Sequence, residues 1–452
     1  MPHSFPADFE NHMKNQLNDS WNDFVEAHNR VSPVSIRLNP LKHQQDDSNL
    51  RIPWTTDGRY LKDRPLFTLD PTLHAGAYYV QEASSMFLEQ ALKQTVALGE
   101  PLRVLDLCAA PGGKSTHVAS LLNQESILVS NEVIRSRVNV LAENLQKWGS
   151  NNVIVTNNDA SDFQALPGAF DVIILDAPCS GEGLFRKDAN AMTEWSSDNV
   201  QLCAARQKRI LADIWPALKG GGILIYSTCT YNPIENEYNL QWLSENHPVE
   251  FIPLKLQPDW GIEEVQQSPV KGYRFYPHNV AGEGFFLSVI RKSEPEVLTH
   301  TRSARPVFAT PSRKITDQVR EWILNSENKT FIQRENTIQF FPSQYAGFIE
   351  QIARQFRIHY AGTFLGTVKH EKIIPEHALA LSVELNKKFF NTVELSREDA
   401  IHYLRKDALN PTTNHRGFAL ATYQHLPLGW MNLLPGRMNN LYPQEWRIRM
   451  SI

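Results

Sequence analysis

The feature that most constrains the fold is an apolar run, residues 102–108, that breaks into Ala109-Ala110-Pro111-Gly112-Gly113 and restarts as a helical pattern over 114–122. The same alternation then recurs. Residues 127–130 and 153–156 read as strands flanking a longer helix, 135–148, which Gly149 stops as a residue favoured just past a helix end. Residues 171–175 form a further strand, and a helix is expected over about 200–218, ended by Gly220-Gly221-Gly222 and followed by a strand over 223–227. Strands alternating with helices predict a parallel, doubly wound α/β sheet. Residues 273–276 and 284–290 are expected to form a hairpin that closes it, and 84–98 reads as helical. Upstream, residues 1–75 read as a small α+β module in which a strand from Ser35 ends at Pro40, since proline cannot donate to a ladder. Residues 293–312 hold three prolines without periodicity and read as a linker to a third region, 313–452.

In open α/β sheets the turn after the first strand receives a nucleotide-like ligand, because small residues admit it to the backbone and the helix start offers unpaired N–H groups. Gly113-Lys114-Ser115 ends as a phosphate loop does, but Cys108 stands where such a loop needs its first glycine. The three-glycine dinucleotide pattern is absent too. A degenerate phosphate loop stays open; the turn better suits a ligand with little or no phosphate, such as S-adenosylmethionine. The acids agree with this. Glu132 ends the second strand, about 20 residues past the glycines, where a carboxylate accepts from ribose hydroxyls. Asp159 follows the third strand, within reach of an adenine amino group, and Asp176 ends the fourth. A strand end is polar in any case, so each acid alone is also readable as solvated; three in register face one crevice.

Cys179 lies just past the fourth strand and Cys229 just past the fifth. Neighbouring strands are about 4.8 Å apart, so the two thiols are expected to share one side of the crevice. Such a pair has a specific use beside a methyl donor. A thiolate adding to C6 of a pyrimidine turns the poorly nucleophilic C5 into an enolate-like carbon that attacks the sulfonium methyl; loss of the C5 proton and elimination of the thiol release the product. The competing readings are an inert pair or a redox disulfide. Cys108 and Cys203 read as small buried hydrophobes.

A chain of 452 residues holds more than one core. No apolar run approaches the ~20 residues of a membrane span, and the first residues show no basic-then-apolar signal. Four cysteines suit a reducing compartment, and the cytoplasm is the expected location. The net charge of −4 conceals an asymmetry: residues 300–452 hold 20 Lys/Arg against 13 Asp/Glu. A basic appended region is a candidate nucleic-acid contact, although charge alone equally describes a lysine-rich soluble domain.

These segments together resemble the RNA cytosine-C5 methyltransferases of the Sun/Fmu type, and within them the RsmF-like branch that modifies small-subunit ribosomal RNA. The resemblance rests on residues 106–114, on Asn131-Glu132…Arg137, on Asp176-Ala177-Pro178-Cys179-Ser180-Gly181-Glu182-Gly183-Leu184-Phe185-Arg186-Lys187 and on Tyr226-Ser227-Thr228-Cys229-Thr230. Arg274-Phe275-Tyr276-Pro277-His278…Gly282-Glu283-Gly284-Phe285-Phe286 and, upstream, Arg37-Leu38-Asn39-Pro40-Leu41-Lys42 match as well. It implies a class I methyltransferase domain (Rossmann-like, doubly wound sheet) over 76–292, an N-terminal α+β RNA-binding module and a C-terminal PUA-like RNA-binding fold. Gly362, Gly366, residues 378–381 and the tail from Gly429-Trp430 to Asn440-Leu441-Tyr442-Pro443 look like that last fold.

The resemblance also implies roles. Cys229 would be the nucleophile and Cys179 the thiol that assists release, as a general base; a Thr-Cys beside a Pro-Cys motif points to RNA, since DNA cytosine methyltransferases attack with the cysteine after proline. Ala109, Ala110, Pro111, Gly112, Gly113, Lys114, Ser115, Glu132, Asp159 and Asp176 would hold S-adenosylmethionine. Asp176 would also meet the target base, Lys114 would stabilise the charged intermediate, and Arg186 and Lys187 would meet the RNA backbone. No metal is expected. The expected partner is ribosomal RNA, free or in the 30S subunit, bound by a monomer without membrane contact. A transfer RNA substrate, or a catalytically silent assembly factor, is the alternative.

Overall fold

Five short apolar segments form the parallel core: Arg103–Asp106 (β1), Ile127–Asn131 (β2), Val153–Thr156 (β3), Phe170–Asp176 (β4) and Leu218–Thr228 (β5). Nearly every side chain on them is buried, as a sheet covered on both faces requires. Val270–Phe275 (β6) and Phe285–Lys292 (β7) pair antiparallel as the expected hairpin, and β7 lies antiparallel against β5. The resulting order, 3-2-1-4-5-7-6, is that of a doubly wound sheet with one antiparallel insertion. This computed structural model describes residues 5–42, 49–295, 306–370, 372–409 and 413–450. No helix among them is long and apolar enough to cross a membrane.

Two element boundaries differ from the sequence reading. The helix Ser197–Ile214 is ended by Pro216 in the turn Trp215–Ala217, not by the three glycines. Proline has no N–H for the next helical bond and clashes with the preceding turn. Gly220, Gly221 and Gly222 instead lie inside β5, where Gly221 takes φ +76° and the β4–β5 register shifts. Before the sheet, Tyr78–Val80 is a strand on Val34–Leu38, and helix resumes only as a turn at Ser84–Phe87 followed by Leu88–Thr95. The N-terminal four-stranded sheet thus extends past residue 75.

Arg37 joins that N-terminal sheet to the catalytic one. Its guanidinium, buried against the Trp148 ring, donates to Gln81 Oε1 (2.9 Å) and Thr116 Oγ1 (2.6 Å) on the helix Gly113–Leu121. The N-terminal helices Ala7–Leu17 and Trp21–His28 pack Phe5, Phe9 and Phe24 on Phe185, Trp195 and Tyr231, beside the loops after β4 and β5. The C-terminal region holds two further four-stranded sheets, and its strand Ile358–Ala361 adds antiparallel to the free edge of β3. The expected linker lies in large part outside the described residues; Ser312, at its end, caps the helix Arg313–Arg320. Trp430 is packed inside the C-terminal region, and Tyr442 is buried where that region meets His74.

Candidate active site

All five parallel strands end at one edge, and the residues singled out from the sequence gather there. β1 ends in Asp106, fully buried, whose Oδ2 accepts from Ser115 Oγ at 2.6 Å while Oδ1 has no hydrogen-bond partner among the described residues. Burial pushes its carboxyl up to about 7 against the Ser115 hydrogen bond. Between the two, Ala109 to Gly112 form the turn; Gly112 sits at φ +114°, and the helix it starts has no side-chain cap, leaving its first N–H groups to a ligand. Glu132 closes β2, buried, accepting from the Ile134 N–H (2.9 Å) with Arg137 at 3.4 Å. Burial, and then the carboxylates of Asp106, Asp176 and Glu132, push the Cys108 thiol up, which places three acids around one small residue.

Asp159 is less committed to the crevice. Half-exposed, it caps the turn Ala160–Ala165 through the Ser161 N–H (3.1 Å) and pairs with Arg209 at 3.1 Å. Asp176 ends β4 and is held from two sides, by Ser227 Oγ (2.8 Å) and by Lys114 Nζ (2.8 Å). Burial disfavours the Lys114 charge, but the Asp176 carboxylate beside it, with Asp106 and Cys229 behind, raises its pKa overall.

The two thiols meet. Cys179 Sγ and Cys229 Sγ are 2.9 Å apart, both free and both partly open, and the Cys229 N–H points at Cys179 Sγ (3.3 Å). Adjacent strands account for this: Asp176 lies opposite Ser227 in the β4–β5 ladder, so the third residue past Asp176 and the second past Ser227 come together. The hydrogen bond to Cys229, and after it burial, push the Cys179 thiol well up. The turns carrying them are fixed by Glu182, which takes up the Trp195 indole N–H (3.1 Å), Asn232 Nδ2 (3.0 Å) and the Tyr231 N–H (3.2 Å). Cys203 is buried in its helix.

One expectation is corrected. Arg186 is not available to an RNA backbone: its side chain is 5% exposed, paired with Glu283 at 3.0 Å, and donates to Gly282 O and Ala27 O. A guanidinium so placed ties the catalytic loop to the N-terminal helices. Lys187, the next residue, is exposed. Asp106 and Arg37 were not among the expected site residues. Asp106 ends its strand two positions short of the level of Glu132 and Asp176, an acid at a strand end that the sequence already shows; nothing local marks Arg37 as a support of the cofactor helix.

The arrangement suits a cation-bearing ligand. Three carboxylates crowd the turn, which opposes a triphosphate, and the lysine a phosphate loop would aim at its ligand is bound to Asp176. Sheet order and site define a class I methyltransferase. Family models agree with this along most of the chain: 16S rRNA methyltransferase RsmB/F over residues 93–291, the N-terminal domain of 16S rRNA methyltransferase RsmF over 5–83, and the methyltransferase RsmF PUA domain over 390–448. The chain is 33% identical over 475 residues to the ribosomal RNA small subunit methyltransferase F of Citrobacter koseri, covering 98% of this chain and 96% of that one. It is 33% identical over 482 residues to the protein of that name from Escherichia coli O157:H7, with the same coverage. Among solved structures it is similar to a methyltransferase homolog protein from Pyrococcus horikoshii, with TM-score 0.52 and 31% identity over 61% of this chain and 91% of that one. The chain belongs to the 16S rRNA methyltransferase RsmB/F family.

Proposed function

We propose that this enzyme transfers a methyl group from S-adenosylmethionine to C5 of cytosine in small-subunit ribosomal RNA, free or within the 30S particle, acting as a cytoplasmic monomer through a covalent Cys229–C6 adduct. The observation that carries this reading is the 2.9 Å contact between two free thiols beside a turn ringed by acids. The residues fit the donor. Ala109 to Ser115 form a close cradle with the free helix N–H groups, Glu132 would meet the ribose and Asp159 the adenine, and the carboxylates suit a sulfonium. When bound, S-adenosylmethionine supplies an electrophilic methyl group.

The chain's own residues supply the rest. A paired cytosine cannot present C6 to a thiol, so the base must be unpaired or flipped from its stack. Asp176, fixed by Lys114 and Ser227, accepts from the base edge; Cys229 gives up its proton to water at the open crevice and adds to C6 as the thiolate, and the Lys114 ammonium stabilises the negative charge that develops on the base. Once Cys229 is bonded to C6, Cys179 loses the hydrogen bond that chiefly raised its pKa. It releases its proton to water at the open crevice, takes up the C5 proton after methyl transfer, and elimination frees Cys229. The exposed Lys187 would contact the RNA backbone.

The test is a pair of variants. Cys229→Ala should abolish transfer of radiolabelled methyl to ribosomal RNA, and Cys179→Ala should remain trapped on RNA as a slow band on a denaturing gel. Absence of that band refutes the covalent route. Bisulfite sequencing of total RNA from a deletion strain should lose a 16S cytosine; loss from transfer RNA alone would overturn the substrate assignment.

A further inference from the structure

Both thiols sit on turns, and turns need to be held if two sulfur atoms are to keep a contact. Beside Glu182, a second carboxylate holds them: Glu235, fully buried and 55 positions from its main partner in the chain. Its Oε2 accepts from the Ser180 N–H (2.9 Å) and from Gln207 Nε2 (3.0 Å), and its Oε1 accepts from Ser180 Oγ. Gln207 Nε2 also donates to Pro178 O (3.0 Å), so the residues on both sides of Cys179 are gripped through one carboxylate. Ser180 Oγ in turn meets Thr230 Oγ1 at 3.1 Å, next to Cys229. The Glu235 backbone is itself anchored, its carbonyl accepting from Tyr226 Oη (2.7 Å) on β5.

We propose that Glu235 is the positioning residue for the release step: through Ser180 and Gln207 it holds Cys179 where it can take the C5 proton from a base bound to Cys229. This rests on the covalent reading above and goes beyond it, since Glu235 touches neither substrate nor sulfur. The grip on Cys179 is direct, through the next residue's N–H and hydroxyl, whereas the grip on Cys229 runs through two hydroxyls. Loss of Glu235 therefore disturbs release more than attack. Electrostatics adds a signature. The titratable groups facing Glu235 are Cys179, Glu182, Cys203 and Tyr226. Its negative charge is among the causes that keep the Cys179 thiol protonated, behind the Cys229 hydrogen bond and burial. Burial raises its own carboxyl to about 7, against the Ser180 hydrogen bonds, so it is part-charged near neutrality.

The experiment compares full-length wild type with Glu235→Gln, Ser180→Ala and Cys179→Ala on 16S RNA, reading adduct formation and adduct decay separately by quenched time courses on denaturing gels. Glu235→Gln should melt and bind S-adenosylmethionine as wild type, form the adduct at a rate within about threefold, and decay about tenfold more slowly. Its decay should also reach half-maximal rate at lower pH, because the charge disfavouring the Cys179 thiolate is gone. Ser180→Ala, which keeps the N–H contact, should fall between wild type and Glu235→Gln. Equal slowing of formation and decay, or an unmoved pH midpoint, would make Glu235 merely structural and overturn the proposal. If Glu235→Gln fails to fold, the formation-to-decay ratio of Ser180→Ala decides the matter: decay slowed more than formation supports the role, and equal slowing of both overturns it. If Cys179→Ala does not trap RNA, the covalent reading falls and this role with it; if Cys179→Ala traps and Glu235→Gln decays normally, only this role falls.

Discussion

Lys114 stands between the cofactor turn and the thiols, and its ammonium is bound to Asp176 at 2.8 Å. Removing it leaves Asp176 with Ser227 alone of those two partners and removes the cation nearest the charge that grows on the attacked base. Lys114→Met should therefore lower single-turnover methyl transfer by about 10²-fold, with RNA affinity changed far less. Arg186 and Lys187 make a sharper contrast, because two adjacent cations have opposite fates. Arg186→Ala leaves Glu283, 4% exposed, without its ion partner in the interior and should destabilise the fold by about 3–5 kcal/mol in urea titration. Lys187→Ala should leave stability alone and reduce the salt dependence of RNA binding by about one counterion. The sequence could not separate these residues: both are long cations in one loop, and what buries Arg186 is Glu283, 97 positions away, with Ala27 from the N-terminal helix. Cys179, Cys229, Lys114, Asp176 and Glu132 were legible because each sits at a strand end or in the first turn, where register alone fixes position. Glu235 was not, since its contacts cross from the Cys229 loop to the Cys179 loop.

Strand ends aim the chemistry, but two glycines let the loops beyond them pass. A Cβ on Gly183 would stand 2.3 Å from Gly284 O, and one on Gly284 would stand 2.3 Å from the Tyr231 ring. The Gly183 N–H donates to Cys229 O (2.9 Å), so this close crossing holds the nucleophile's own carbonyl. Gly183→Ala must push the loops apart. It should cost about 1–3 kcal/mol of stability by thermal melting and more than tenfold in adduct formation, with cofactor affinity kept. Elements with strong periodicity, such as Arg135–Trp148 with Gly149 at φ +92°, were readable to the residue. The misplaced boundary came from weighing three glycines above one proline: Gly221 serves an irregularity in β5, while Pro216 stops the helix. The added strand Ile358–Ala361 could not be anticipated either, because pairing with β3 from some 200 residues away leaves no local mark.

The C-terminal region is docked on the rest of the molecule through a junction of buried basic groups. Lys42 Nζ donates to Ala75 O (2.9 Å) and Lys147 O (2.6 Å), the Val383 N–H donates to Gly149 O (3.1 Å), and His377 lies between the rings of Tyr442 and Trp446. Neither ring nitrogen of His377 has a hydrogen-bond partner among the described residues. Burial, with Lys147, Lys42 and Lys406 nearby, lowers His377 from 6.5 to about 3; burial first, then Lys147, lowers His74 to about 4. Once undocked, both rings would titrate near 6.5, so between there and about 4 the undocked state binds protons that the docked one refuses, and docking weakens as pH falls. At pH 5 each histidine contributes on the order of 2 kcal/mol toward undocking. Lys42, lowered by burial to about 7, acts in a separate window with the same sense: docking strengthens from about 7 upward, until the free lysine deprotonates near 10.5. Exchange of the Val383 amide, corrected for its intrinsic rate, should therefore accelerate between pH 7.5 and 5 while amides of β1 hold. His377→Leu should cut that acceleration to about its square root, because one of two similar protonation free energies is gone. An unchanged Val383 rate across this range would mean that the junction opens without charging its histidines, and that the apolar cluster Ala75 shares with Tyr403, Leu428 and Tyr442 holds the region in place.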